Sequence, residues 1–205
     1  MSREDFAARR PEIIGERTRR KYAVLVPMLE TPDGTSLLFE VRSAGLRRQP
    51  GEICFPGGRL EPGEAPEACA VRETAEELLL DPGQIQVLGP GDILYSPFNS
   101  IIYPYIGLIK DYAGTMCREE VASVLTVPLR FFTGQAPEVY TGAVVRQLPE
   151  NFPYDRIPGG TAYPWSTGVH ETLFYQYGPH VIWGITALIV RSAAELIRQY
   201  GLAES

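Results

Sequence analysis

Three glutamates, Glu73, Glu76 and Glu77, stand at i, i+3 and i+4 in the stretch GGRLEPGEAPEACAVRETAEELLL. On a helix that spacing gathers their carboxylates on one side. Several hard oxygens within one turn form the ligand set that Mg²⁺ or Mn²⁺ prefers. Without a cation the arrangement is unfavourable, because like charges at i,i+4 destabilise a helix by about 0.2–0.5 kcal/mol each. No Lys or Arg follows at the offsetting positions, and only Arg72, four residues before Glu76, can help. The approach to the helix is Phe55-Pro56-Gly57-Gly58. Small residues at Gly57 and Gly58 would let backbone carbonyls and a ligand come close. From these residues alone two readings stay open, a solvated acidic face and a divalent-metal site.

The elements around this cluster follow from pattern and punctuation. Pro66 suits a first helical turn and Asp81-Pro82-Gly83 ends the run, which predicts a helix from about 66 to 80. At 100° per residue its apolar arc is Ala68, Val71, Ala75, Leu78 and Leu79, almost opposite the glutamates. Upstream, YAVLVPML (22–29) reads as a buried strand, with Pro27 suggesting an edge or bulge. SLLFEVR (36–42) reads as its hairpin partner across Thr31-Pro32-Asp33-Gly34, and a short strand is expected at Ile53–Phe55. Strands follow at 85–94 and 101–109, with a short one at 124–129. Residues 172–183 read as a hairpin centred on Gly178-Pro179, and 186–200 as an amphipathic helix stopped by Gly201. Short helices among mostly hairpin-connected strands give an α/β fold with a mixed sheet. The length of 205 residues fits one domain, with 1–20 as an N-terminal extension and 130–164 as an insertion or loop region.

Composition excludes several classes. Hydrophobic residues make up 44% and charged residues 21%, ordinary for a globular chain. The net charge of −6 disfavours general nucleic-acid binding, and the locally basic start (Arg3, Arg9, Arg10, Arg17, Arg19, Arg20, Lys21) reads as a solvated segment. No run is apolar enough for a membrane span, and MSREDFAARRPE is too polar for a signal core, so a cytoplasmic location is the expectation. Cys54, Cys69 and Cys117 match neither a disulfide framework nor a zinc pattern. Trp165, Trp183 and the tyrosines read as core, and His170 and His180 as remote from the glutamate helix. The sequence leaves a homodimer open.

The glutamate segment resembles the Nudix box: a glycine, five residues, a glutamate, seven residues, then Arg-Glu, an apolar residue, any residue and Glu-Glu. Gly58, Glu64, Arg72, Glu73, Glu76 and Glu77 occupy the fixed positions, with Leu80 at the closing apolar one. Thr74 stands where an aliphatic residue is usual and Leu79 where glycine is, which suggests altered packing or a longer helix. The resemblance implies the Nudix fold, a mixed sheet sandwiched between helices, and metal-dependent diphosphate hydrolysis. It also implies Glu73 and Glu77 as principal metal ligands, Glu76 as ligand or base, and the Gly58 carbonyl as a further contact. Arg72 would orient the carboxylates, and Glu64, with Gly57, would fix the loop. Glu120, beside Glu119, is the candidate general base and equally readable as a surface glutamate.

The box does not select a substrate. FEVRSAGLRRQPGEICFPGG (39–58) resembles the additional motif of coenzyme A pyrophosphatases, matched at Arg42, Ser43, Arg47, Gly51, Phe55, Pro56, Gly57 and Gly58. Glu40 stands where that motif usually has threonine. NFPYDRIPGG (151–160) and VIWGITALIV (181–190) also look like this subfamily. Arg42 and Arg47 are the phosphate-binding candidates, ahead of Arg48, since guanidinium pairs bidentately with phosphate; a surface basic patch is the plainer alternative. The implied reaction is cleavage of coenzyme A or an acyl derivative to 4′-phosphopantetheine and adenosine 3′,5′-bisphosphate. Its rivals are hydrolysis of ADP-ribose or another nucleoside diphosphate derivative, and binding of a coenzyme A or nucleotide ligand without turnover.

Overall fold

The computed structural model describes residues 7, 8 and 12–203. Its centre is a strand with two different partners along one edge. The first strand, β1 (Arg20–Thr31), is antiparallel to β2 (Gly34–Arg42) only from Met28 to Thr31. Below that point the hairpin opens, and the segment 53–59 fills the gap. There β3 (Ile53–Cys54) pairs with β2 and β4 (Gly57–Arg59) pairs with β1. Pro27 falls where β1 changes partner, so its missing N–H breaks no ladder on that side. The expectation of an edge strand is therefore corrected, since β1 is central and its far side pairs in parallel with β7 (Ser100–Ile109) from Arg20 to Met28.

Outside these, β5 (Ile85–Pro90) and β6 (Leu94–Ser96) run antiparallel to β7, and β8 (Val121–Pro128) runs antiparallel to β2. The stretch 85–94 is thus two strands rather than one. The result is an eight-stranded mixed sheet. A second sheet of three strands joins β9 (Glu138–Val144), β10 (Gly168–Tyr177) and β11 (His180–Trp183). The 130–164 stretch therefore carries most of a short helix, α2 (Leu129–Gly134 with Leu129 included), and a whole strand, β9.

Three α-helices appear among the described residues, and two of them cover opposite faces of the large sheet. The first in importance for the site, α1, spans Pro66–Leu78 and packs through Val71, Ala75 and Leu78 on Leu25, Leu38, Ile85 and Ile109. The last, α3 (Gly184–Gln199), lies in the larger core with Val26, Met28, Leu37, Phe39, Leu173 and Ile182. Alternation along β2 sends Leu37 and Phe39 to the α3 side and Leu38 to the α1 side. Helix, sheet and helix thus form the layered α/β/α arrangement expected for this chain.

Several local expectations change. Trp183 is 43% exposed and stacked on Phe174, and Trp165 is half-buried beside Arg146, so neither is core. Arg19 is not merely solvated: it donates to the Ser96 carbonyl at 2.7 Å and lies over the Tyr95 ring. Lys21 pairs with Glu16 at 2.7 Å. Arg3, Arg9 and Arg10 lie outside the described residues. Among the described residues, no helix is long and apolar enough to cross a membrane.

Candidate active site

The split between β1 and β2 places Gly57 and Gly58 directly against α1. Gly57 has φ 151°, and a Cβ there would strike the Ala23 carbonyl and the Val24 backbone. At Gly58 a Cβ would occupy the space of the Glu73 carboxylate. Gly57 thus has no room for a side chain against β1, whereas at Gly58 a side chain would fit only if the Glu73 carboxylate moved away. The Gly57 N–H donates to Glu77 Oε2 at 2.8 Å, which ties the helix carboxylate to the wedge strand.

That contact corrects the expected orientation of α1. The buried side chains are Cys69, Ala70, Thr74, Glu77 and Leu78, while Ala68 and Leu79 are exposed and Val71 and Ala75 are half-buried. The helix therefore turns an edge of its glutamate face inward, and Glu77 is only 5% exposed. An apolar arc alone misplaces the buried face because it ignores carboxylates built into a site. Thr74 tolerates complete burial since its hydroxyl donates to the Ala70 carbonyl at 2.7 Å. At the other departure the helix is not longer. It ends at Leu78, and Leu79 adopts a left-handed conformation (φ 54°, ψ 49°), the conformation glycine suits best.

Arg72 organises the outer carboxylates. It grips Glu64 with two bonds, Nε to Oε1 at 2.8 Å and Nη2 to Oε2 at 3.1 Å. Its Nη1 donates to Glu73 at 2.9 Å and to exposed Glu76 at 3.3 Å. Glu64 also accepts from the Glu61 N–H at 2.9 Å, closing the loop before the helix. Together the Arg72 guanidinium and that N–H hold the Glu64 carboxyl down at about 2. Glu73 is shifted the other way, because its burial outweighs the bond to Arg72.

The segment after β7 brings Glu120 to the same place. Its backbone satisfies the end of α1, with Cys117 N–H donating to the Glu77 carbonyl at 2.8 Å and Thr115 Oγ1 to the Leu78 carbonyl at 2.6 Å. Glu120 itself is exposed, and its charge is felt by Glu40, Glu73 and Glu77. Arg42, at the end of β2, faces the same carboxylates, and its Nε donates to the Arg48 carbonyl at 3.4 Å. Arg47 is exposed on the following loop.

Sequence reasoning missed Glu40 as part of this site. It lies on the Leu38 face of β2, is 1% exposed, and its Oε1 has no hydrogen-bond partner. Burial first, and then repulsion from Glu77, push its carboxyl well above the usual range, with Arg42 pulling back. Glu77 moves up for the same reasons, opposed by the Gly57 N–H. Removing a carboxylate from water costs several kcal/mol, against the roughly 1.5–3 kcal/mol that burying a leucine there would contribute. A signal was present in the sequence: period-two alternation puts Glu40 on the inward face with Leu38. Burial raises the Cys54 thiol to about 12 and the Cys69 thiol to about 11, which disfavours the reactive thiolate at both.

The NUDIX domain profile matches residues 19–133, more than half of the chain. The chain belongs to the Nudix family. The uncharacterized Nudix hydrolase NudL of Citrobacter koseri is 30% identical, over 95% of this chain and 94% of NudL. Peroxisomal coenzyme A diphosphatase NUDT7 of Mus musculus is 34% identical over 64% of this chain, and the match spans 56% of NUDT7. A solved Nudix hydrolase of M. smegmatis, RenU, has 21% identity and a TM-score of 0.48, covering 57% of this chain and 74% of its own. Family membership makes the chain a hydrolase of diphosphate bonds and sets aside a ligand binder without turnover.

Nudix hydrolases generally use divalent metal. Among the described residues no three carboxylate, imidazole or thiol groups enclose an ion as they stand. Glu73 and Glu76 are instead turned to Arg72, and Glu77 to the Gly57 N–H. The chemistry of the donors nevertheless fits a hard dication. Carboxylates crowd together, the buried members resist ionisation through desolvation and mutual repulsion, and one buried oxygen has no hydrogen-bond donor.

Proposed function

We propose that the chain hydrolyses the diphosphate of coenzyme A or an acyl-coenzyme A, yielding 4′-phosphopantetheine and adenosine 3′,5′-bisphosphate. The observation that carries this reading is the meeting of two sequence motifs at one place. The wedge 53–58 ends the coenzyme A-type motif and begins the box, and its Gly57 N–H holds Glu77 while Arg42 faces the same carboxylates. The match to NUDT7, named a coenzyme A diphosphatase, supports the same substrate class.

Glu73, Glu77 and Glu76, with the Gly58 carbonyl, would hold Mg²⁺ or Mn²⁺. Such a cation neutralises the diphosphate, orients it and lowers the pKa of an attacking water. The chain's own residues do the rest. Arg72 fixes where Glu73 and Glu76 point, and Glu64 and Gly57 fix the loop that carries Arg72's other contact. Arg42 and Arg47 supply guanidinium groups for phosphate oxygens, including the 3′-phosphate that coenzyme A carries beyond its diphosphate. Glu120 would accept the proton of the attacking water; its exposure and the effect of its charge on Glu77 support that role.

Incubating the protein with coenzyme A and Mg²⁺, then Mn²⁺, and weighing the products by mass spectrometry tests this directly. Both named products should appear and EDTA should abolish them. Cleavage of ADP-ribose with coenzyme A left intact would overturn the substrate and leave the metal site standing. Glu77→Gln should lower kcat by at least about 10³-fold, or about 4 kcal/mol of transition-state stabilisation, with an unchanged circular dichroism spectrum. Activity near wild type with metal still bound would remove Glu77 from the ligand set.

A further inference from the structure

The box places its carboxylates on a helix, yet the most deeply buried carboxylate near them comes from the sheet. Glu40 sits between Leu38 and Arg42 on the α1 side of β2, paired across the ladders with Cys54 of β3 and Val124 of β8. It is 1% exposed, and its Oε1 meets no donor. Several of the nearby donors are engaged elsewhere. Arg72 is committed to Glu64, Glu73 and Glu76. The Gly57 N–H serves Glu77, and Arg42 reaches the Arg48 carbonyl. The strongest charge acting on it is that of Glu77, another acid within hydrogen-bonding reach, with Arg42 opposing.

A position this deep in a strand is ordinarily apolar, or at most a hydroxyl that can bond to its own backbone. An unpartnered carboxylate there needs a reason. General-base work is not one, because a side chain closed off from solvent has no route for the proton it would take. Packing is not one either, since a smaller residue would fill the site without leaving a polar atom unsatisfied.

We infer that Glu40 supplies a further carboxylate oxygen to the divalent-metal site, from the sheet beneath the glutamate helix, in direct contact or through one metal-bound water. The inference rests on the reading of Glu73 and Glu77 as metal ligands. It explains the orphaned oxygen and the crowding with Glu77 together, because a dication between acids converts their repulsion into attraction. It also makes β2 a double contributor, with Glu40 toward the cation and Arg42 toward the phosphates.

The test uses Mn²⁺ alone, titrated into the full chain and followed by the electron paramagnetic resonance of free Mn²⁺. Wild type, Glu40→Gln, Glu40→Thr and Glu77→Gln are compared, each also melted with and without Mn²⁺. Glu40→Gln keeps the shape and a hydrogen-bonding group but not the anion. Glu40→Thr is smaller and covers the case in which the amide does not fit. Both should bind Mn²⁺ at least about ten-fold more weakly than wild type. Both should also melt higher than wild type without metal and gain less from its addition. If the Glu40 variants bind Mn²⁺ as wild type does while Glu77→Gln does not, Glu40 lies outside the metal site and the helix reading stands. If Glu77→Gln also binds as wild type does, the helix reading itself has failed.

Discussion

The two sides of α1 treat their carboxylates in opposite ways. On the outer side Glu64, Glu73 and Glu76 all reach one guanidinium, which holds Glu64 down at about 2 and partly offsets the burial that raises Glu73. On the inner side Glu77 has one backbone N–H and Glu40 leaves an oxygen bare, and both are pushed up. Two positive-φ residues also stand next to Glu77: Gly57, whose N–H it accepts, and the exposed, left-handed Leu79 two residues on. The outer carboxylates are thus positioned by the chain itself, while the inner ones are positioned but not neutralised. Stability is given up where the buried acids crowd together, as is common where a site is built into a fold.

The largest effect on this contrast should come from removing the outer organiser. Arg72→Gln would leave Glu64, Glu73 and Glu76 without their shared partner and make the outer side resemble the inner. Partners that orient ligands typically contribute 10–100-fold to metal affinity or activity. Steady-state kinetics should therefore show kcat falling by about 10–100-fold, with Mn²⁺ binding weakened in parallel. A change under about two-fold would mean that Arg72 only packs, and the contrast would lose its functional sense.

A smaller effect separates the two sides by pH. The folded-state pKa of Glu64 lies at about 2, below its ordinary value of 4.5. Its contribution is then fully present above about 4.5 and is lost as pH falls toward 2. Glu64→Gln should lower Tm at neutral pH, and the gap from wild type should close across that acid window. The inner acids carry the opposite sign. Their folded-state pKa values are raised, so the metal-free fold loses stability as pH rises above the ordinary carboxylate range. Melting curves of metal-free wild type and Glu64→Gln from pH 3 to 8 measure both. A gap that stays constant down to pH 3 would show that the pair with Arg72 adds nothing through charge.

How much of this was readable in the chain depended on whether the signal was local. The helix at Pro66–Leu78, the hairpin at 168–183 and the final helix follow from capping, turn residues and period, and the box fixes which glutamates gather. The split of β1 from β2 was not readable, because each half-ladder looks like ordinary strand and only the wedge between them decides the pairing. β9 escaped notice since nearly all of it is exposed, which leaves no alternation to detect. The inward turn of Glu77 depends on what stands opposite, and a buried helical acid looks like a surface acid until its neighbours are known; for Glu40 the alternation with Leu38 was the one legible signal. From the sequence Glu120 reads equally as a base or a surface glutamate, and it comes near the cluster because Thr115 and Cys117 bind the end of α1.

The smallest effect asks whether strain and buried charge on the inner side act together. A left-handed conformation costs a non-glycine residue about 1–2 kcal/mol, and Leu79, 59% exposed, recovers little of that by packing. Glycine's larger loss of freedom on folding takes back part of the gain. Leu79→Gly should then stabilise the fold by about 0.5–1 kcal/mol, a rise in Tm of a few degrees for a chain of this size. If strain and charge are independent, kcat and Mn²⁺ affinity stay at wild-type values while Tm rises. A higher Tm with a lower kcat would instead mean that the strained turn sets the position of Glu77, two residues earlier. A lower Tm would show that the Leu79 side chain holds the 112–121 segment in place. The strain would then be part of how Glu120 is brought to the site.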